Sequence, residues 1–162
     1  MPVLKYRERE RKPGILQIQL KNFTFYFKNI YIRNKYSEMQ ETRILPTKSS
    51  PEIIMNPDGI IKIRGRSIHE NATEFFGPVN DWISEYIEDP ADVTCVDMIL
   101  EYFNSASAKV FIQLLQKLTY VQLKNKKFIF NWYYEDGDED ILERGEYFAS
   151  VLDVPFNFIK IN

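Results

Sequence analysis

Thr94-Cys95-Val96-Asp97-Met98-Ile99-Leu100-Glu101-Tyr102-Phe103, then Asn104-Ser105-Ala106-Ser107, then an amphipathic run to Lys124, is the stretch that decides the fold. Its first ten residues read as a strand. At the two-residue period Val96, Met98, Leu100 and Tyr102 share one face, while Ile99 and Phe103 share the other with two acids. Past Ser107 the period changes. Phe111, Leu114, Leu115, Leu118 and Val121 fall on one helical stripe. Between the two periods lie small polar residues that favour a helix start. A helix N-terminus presents unpaired N–H groups and a partial positive charge, which suit an anion. Two hydroxyls, Ser105 and Ser107, stand there. Capping is the commoner role for a serine so placed; accepting a phosphate is the other.

Downstream, Asn125-Lys126-Lys127 closes the helix with charges suited to its negative end. Phe128 to Tyr134 is a second apolar strand. The helix between the two strands predicts that they run parallel, through a right-handed crossover. Glu135-Asp136-Gly137-Asp138-Glu139-Asp140 does not fit a calcium loop, because its Gly comes too early and the ligand alternation is absent. It reads as a loop whose acids oppose the dipole of the next helix. That helix turns Ile141, Gly145, Phe148 and Val151 or Leu152 inward, and Gly145 allows close approach to the sheet. Asp153-Val154-Pro155 ends it, and Phe156 to Ile161 is a last strand.

Upstream, Glu52 to Met55 and Ile60 to Ile68 flank the turn Asn56-Pro57-Asp58-Gly59, predicting a hairpin with one wet face. Glu41 to Ser50 reads as a lead-in loop. Asn71-Ala72-Thr73-Glu74 is a capping box. It opens a helix that buries Phe75 or Phe76, Val79, Trp82, Ile83 and Tyr86, kinked or delayed by Gly77-Pro78. The expected order is ββαβαβαβ: an α/β (α+β) fold with helices packed on a mixed sheet of four to five strands.

The chain has 162 residues and a net charge of −2, enough for one domain and a small appendage. The charge is unevenly spread. Residues 1–38 carry nine Lys or Arg against three Glu, whereas residues 39–162 carry twelve basic and twenty acidic residues. An acidic body argues against nucleic acid as its partner. Residues 1–38 are expected to be a basic N-terminal extension outside the working domain at 39–162, with Met39 as a candidate start. If native, that aromatic, basic segment suits nucleic acid or anionic lipid. No secretory leader or membrane-length apolar run is visible, so a cytoplasmic protein is expected. The single Cys95 and single His69 exclude an internal disulfide and a Cys/His zinc site. No cofactor is implied.

From Ser50 to Ile161 the chain resembles the SiaC family of bacterial regulatory phosphoproteins. The resemblance is carried by Ser50-Pro51-Glu52, Gly65-Arg66-Ser67-Ile68, Glu70-Asn71, Glu74-Phe75-Phe76, Pro78 and Trp82. It continues through Tyr102-Phe103-Asn104-Ser105, Ser107, Lys109, Trp132-Tyr133-Tyr134-Glu135, Asp138-Glu139-Asp140 and Pro155-Phe156. It implies a STAS-like fold, as in anti-sigma-factor antagonists, and a partner switch. In such a switch a serine/threonine kinase phosphorylates the loop before the second helix, and a PPM-type phosphatase reverses this. The unphosphorylated form of the best-known member activates a diguanylate cyclase, raising cyclic di-GMP. Ser105 aligns with the phosphoacceptor, and Asn104, Ser107 and Lys109 fall in the switch loop that partners would read. The family pattern Asn-Thr-Ser-Ser is here Asn104-Ser105-Ala106-Ser107, and His69 replaces a commoner Pro.

Three functions compete. The first is the non-enzymatic switch, acting on a diguanylate cyclase or, alternatively, as an anti-sigma-factor antagonist in transcriptional control. The second is a small serine hydrolase on Ser105 or Ser107. That needs a base, yet the only histidine lies in another loop and no Gly-x-Ser-x-Gly elbow exists. The third is an adaptor acting through residues 1–38.

Overall fold

The computed structural model describes residues 39–162. The expectations for residues 1–38 lie outside them. Six strands form one sheet: β1 (Thr42–Ile44), β2 (Glu52–Asn56), β3 (Ile60–Ser67), β4 (Val93–Phe103), β5 (Lys127–Glu135) and β6 (Asn157–Ile161). They lie side by side in chain order, β1-β2-β3 antiparallel and β3-β4-β5-β6 parallel. The helices are α1 (Ala72–Phe75), α2 (Gly77–Tyr86), α3 (Ser105–Leu118) and α4 (Glu139–Leu152). The sheet is mixed, as expected, but has six strands. The additional strand is β1, inside the segment read as a loop. Three residues at a sheet edge, set among polar neighbours, give no readable period.

One row of side chains explains the packing. Ile53, Ile63, Met98 and Trp132 are register partners across β2 to β5, and all are buried. On the same face Met55, Ile61, Val96 and Phe130 repeat the pattern. Val79, Ile83 and Tyr86 of α2, Phe111, Leu114, Leu115 and Leu118 of α3, and Ile141 and Phe148 of α4 complete the core. The alternate row runs Ile54, Lys62, Asp97, Asn131 and Asn157, and is partly or fully exposed. There Asn131 donates to Asp97 at 2.8 Å and Asn157 donates to Asn131 at 2.9 Å. Cys95 shares that face; burial and the neighbouring Asp97 push its thiol pKa up, away from reactivity.

The expected placement of Tyr102 on the face of Val96, Met98 and Leu100 is corrected by a β-bulge. Gly65 pairs with Leu100 and Arg66 with Tyr102, so Glu101 is an extra residue that reverses the alternation. Tyr102 is left 50 % exposed while Phe103 turns into the core at 1 %. The helix read from Asn71 onward is two helices broken at Phe76, where Gly77-Pro78 starts α2. Asn71 accepts from the Glu74 N–H at 3.3 Å, and its side-chain amide donates to the Glu74 carboxylate at 2.7 Å. Phe76, not Phe75, takes the core position. After Leu118 the chain tightens into a 3₁₀ segment, Thr119–Lys124, and leaves it through Asn125 in the left-handed conformation.

Gly145 is buried where α4 crosses Trp132. A Cβ there would lie 2.6 Å from the indole ring, whose N–H donates to the Ile141 carbonyl at 2.9 Å. Gly145→Ala should therefore destabilise the domain by about 1–3 kcal/mol through overpacking. Urea denaturation checks this. An unchanged midpoint would mean that α4 shifts outward at no cost.

Candidate functional site

The candidate site is the junction between β4 and α3, at the carboxyl end of a parallel strand. The bulge at Glu101 turns Phe103 inward, packed edge-on against Phe111, Trp132 and Phe148. The next residue, Asn104, has extended backbone and is the N-cap of α3. Its side-chain carbonyl accepts from the Ser107 N–H at 2.8 Å. Its backbone N–H donates to the Ser67 carbonyl at 3.0 Å, and its side-chain amide donates to the His69 carbonyl at 3.5 Å. The junction is thus tied to the segment leaving β3.

The two candidate hydroxyls part company here. Ser107 is 0 % exposed, and its Oγ accepts a 2.8 Å hydrogen bond from Ser67 Oγ. It therefore serves inside the junction and cannot meet a partner at the surface. Ser105, the first residue of α3, is exposed, as are Ala106 and Lys109. Lys109 lies four residues after Ser105, one turn up the same helical face. Of the residues expected to be read by partners, Ser105 and Lys109 are accessible, Asn104 is half-buried and Ser107 is internal.

Three further residues belong to the site. Ser67 was visible only as part of the Gly65-Arg66-Ser67-Ile68 motif. His69 contributes its carbonyl, while its ring stacks on Phe75 with centroids 5.2 Å apart and its Nδ1 is buried without a hydrogen-bond partner. Arg144 of α4 donates to the Phe103 carbonyl at 3.0 Å and lies over the Phe103 ring, 4.8 Å from its centroid. No local signal marks Arg144, whose contact spans 41 residues of chain. Beside the junction a cleft of about 280 Å³ opens between the ends of β4, β5 and β6. Glu101, Glu135 and Asp138 line it with a single cation, Arg66, so it disfavours an anionic small molecule. Asp138 is itself the N-cap of α4, accepting from Ile141 N–H at 3.1 Å.

Ser105 thus stands exposed at a helix start on a mixed α/β sheet, with no histidine or carboxylate hydrogen-bonded to it among the described residues. The sequence profile of the SiaC family of regulatory phosphoproteins matches residues 44–161, and the chain belongs to that family. An uncharacterized protein of Pseudomonas aeruginosa is 29 % identical over 119 residues, covering 73 % of this chain and 94 % of its own. The crystal structure of apo-SiaC from the same organism is similar, with a TM-score of 0.66 and 27 % identity over 76 % of this chain and all of that one. A chain in the crystal structure of the diguanylate cyclase SiaD in complex with its activator SiaC, also from P. aeruginosa, has a TM-score of 0.64. It is 29 % identical to this chain, covering 74 % of it and 97 % of its own length. Among the described residues no helix is long and apolar enough to cross a membrane.

The capping role lies with Asn104 and not with Ser105. Asn104→Ala should cost about 0.5–2 kcal/mol, whereas Ser105→Ala should stay within about 0.5 kcal/mol of the parent. Paired thermal denaturation curves check this. A larger loss at Ser105 than at Asn104 would reverse the assignment.

Proposed function

We propose that this chain is a non-enzymatic switch in cytoplasmic cyclic di-GMP signalling, reversibly phosphorylated on Ser105 and binding a diguanylate cyclase according to its phosphorylation state. The observation that carries the reading is the contrast at the junction: Ser105 is presented to solvent while Ser107 is sealed against Ser67. A kinase needs an accessible hydroxyl, and of these two only Ser105 provides one. A serine/threonine kinase transfers the terminal phosphoryl group of ATP to Ser105 Oγ, forming the ester, releasing ADP and losing the hydroxyl proton. A PPM-type phosphatase hydrolyses the ester with water, restoring the hydroxyl and releasing inorganic phosphate.

The complex of SiaD with its activator SiaC supports a diguanylate cyclase as the output partner, because a relative of the same fold docks on such an enzyme. Phosphate adds up to about two negative charges and three acceptor oxygens at the first turn of α3. The helix there tolerates them, since its N-terminus favours an anion. The domain stays folded, and what changes is the surface offered by Ser105, Ala106 and Lys109. A hydrolase reading lacks a base: the only histidine, His69, is stacked on Phe75.

Incubation with the serine kinase of the source organism and ATP should yield one phosphate, located on Ser105 by peptide mass spectrometry. Ser105→Ala should abolish it and hold the chain in the partner-binding state. A phosphate on Ser107 would contradict the burial argument, and no kinase-dependent phosphate at all would end the switch reading.

A further inference from the structure

Arg144 stands out among the cations around the junction. It is half-buried, yet among the described residues it makes no ion pair with a carboxylate. Glu143 before it and Glu146 two residues after it are acidic, and both are exposed. The guanidinium is directed elsewhere: one N–H is spent on the Phe103 carbonyl at 3.0 Å, and its plane lies over the rings of Phe103 and Tyr102, 4.8 and 5.9 Å from their centroids. A guanidinium has five N–H donors in a rigid fork, so most are left for another acceptor. A partly desolvated cation with spare donors matches an oxyanion in charge and in geometry.

Phe103, which Arg144 already holds, is two residues before Ser105. Two residues of chain span at most about 7 Å, which brings the Ser105 backbone within reach of a guanidinium already held at the Phe103 carbonyl. We propose that Arg144 is the internal receptor for the phosphate on Ser105, pairing with it across the β4–α3 junction. This rests on the switch reading of Ser105. In taking the phosphate, Arg144 leaves the ring of the half-exposed Tyr102 and so turns a change of charge into a change of surface at an aromatic side chain. The other charged groups on neighbouring elements are less suited. Arg66 and Glu101 are paired with each other at 3.0 Å. Lys109, though one turn above Ser105, is exposed and offers only a solvated pair. Glu143, Glu146 and Asp140 of α4 repel a phosphate.

The test places phosphoserine at position 105 of the full chain by genetic encoding, which needs no kinase, and follows its titration by ³¹P NMR. The second ionisation of a phosphoserine lies near about pH 6. A guanidinium partner favours the dianion and so lowers the midpoint. Arg144→Met should raise the midpoint by at least about half a pH unit. Arg144→Lys should fall between the two, and Lys109→Met should move the midpoint less than Arg144→Met. Equal midpoints in the parent and Arg144→Met, or a larger shift from Lys109→Met, would overturn the proposal. If Arg144→Met does not fold, Arg144→Lys decides: a midpoint identical to the parent's would overturn the proposal, because the fork would then contribute nothing. Absence of kinase-dependent phosphate on the unmodified chain would sink the switch reading without altering these midpoints, so the two failures are separable.

Discussion

Asn104 closes the joint on which the proposed docking surface depends. Its carboxamide satisfies the Ser107 N–H of α3 and reaches the His69 carbonyl, while its backbone N–H completes the ladder to Ser67. A helix start leaves several N–H groups without partners, and leaving such groups buried is costly. Using one side chain for the cap frees Ser105 from that duty. The hydroxyl closest to solvent is therefore available for chemistry, and the one closest to the core, Ser107, is committed to Ser67.

That joint is held by the layers beneath it. The row Ile53, Ile63, Met98 and Trp132 fixes the register of four strands. The bulge at Glu101 then spends one extra residue to rotate Phe103 into the aromatic cluster with Phe111, Trp132 and Phe148. Without it, Tyr102 would point inward and Asn104 would leave the strand on the wrong side. Bulges often re-aim side chains beside functional sites in this way. Under the proposed switch, a phosphate on Ser105 would alter what docks on the domain while the domain keeps its fold.

Much of this is legible in the sequence. The two-residue period of β4, the helical stripe of α3 and the Gly77-Pro78 interruption are local signals, and each appears where the residues put it. Gly145 was readable as a point of close approach, and Trp132 is what it approaches. The failures share a cause. Tyr102 changed face because the bulge is a property of the β3–β4 pairing, not of β4 alone. β1 is a strand only because β2 offers it an edge. Ser107 reads as the more inward of the two serines, but its partner Ser67, 40 residues away, is not legible from the local pattern. Arg144 carries no motif, and its place at Phe103 exists only once α4 has packed on the sheet.

In the proposed switch, one exposed hydroxyl at this joint governs docking. Isothermal titration of a diguanylate cyclase from the source organism with the chain in its two states, unmodified and carrying phosphoserine at position 105, measures this. The unmodified chain should bind, and the phosphorylated chain should bind at least about tenfold more weakly, a difference of about 1.4 kcal/mol. Equal affinities of the two states for the enzyme would contradict it.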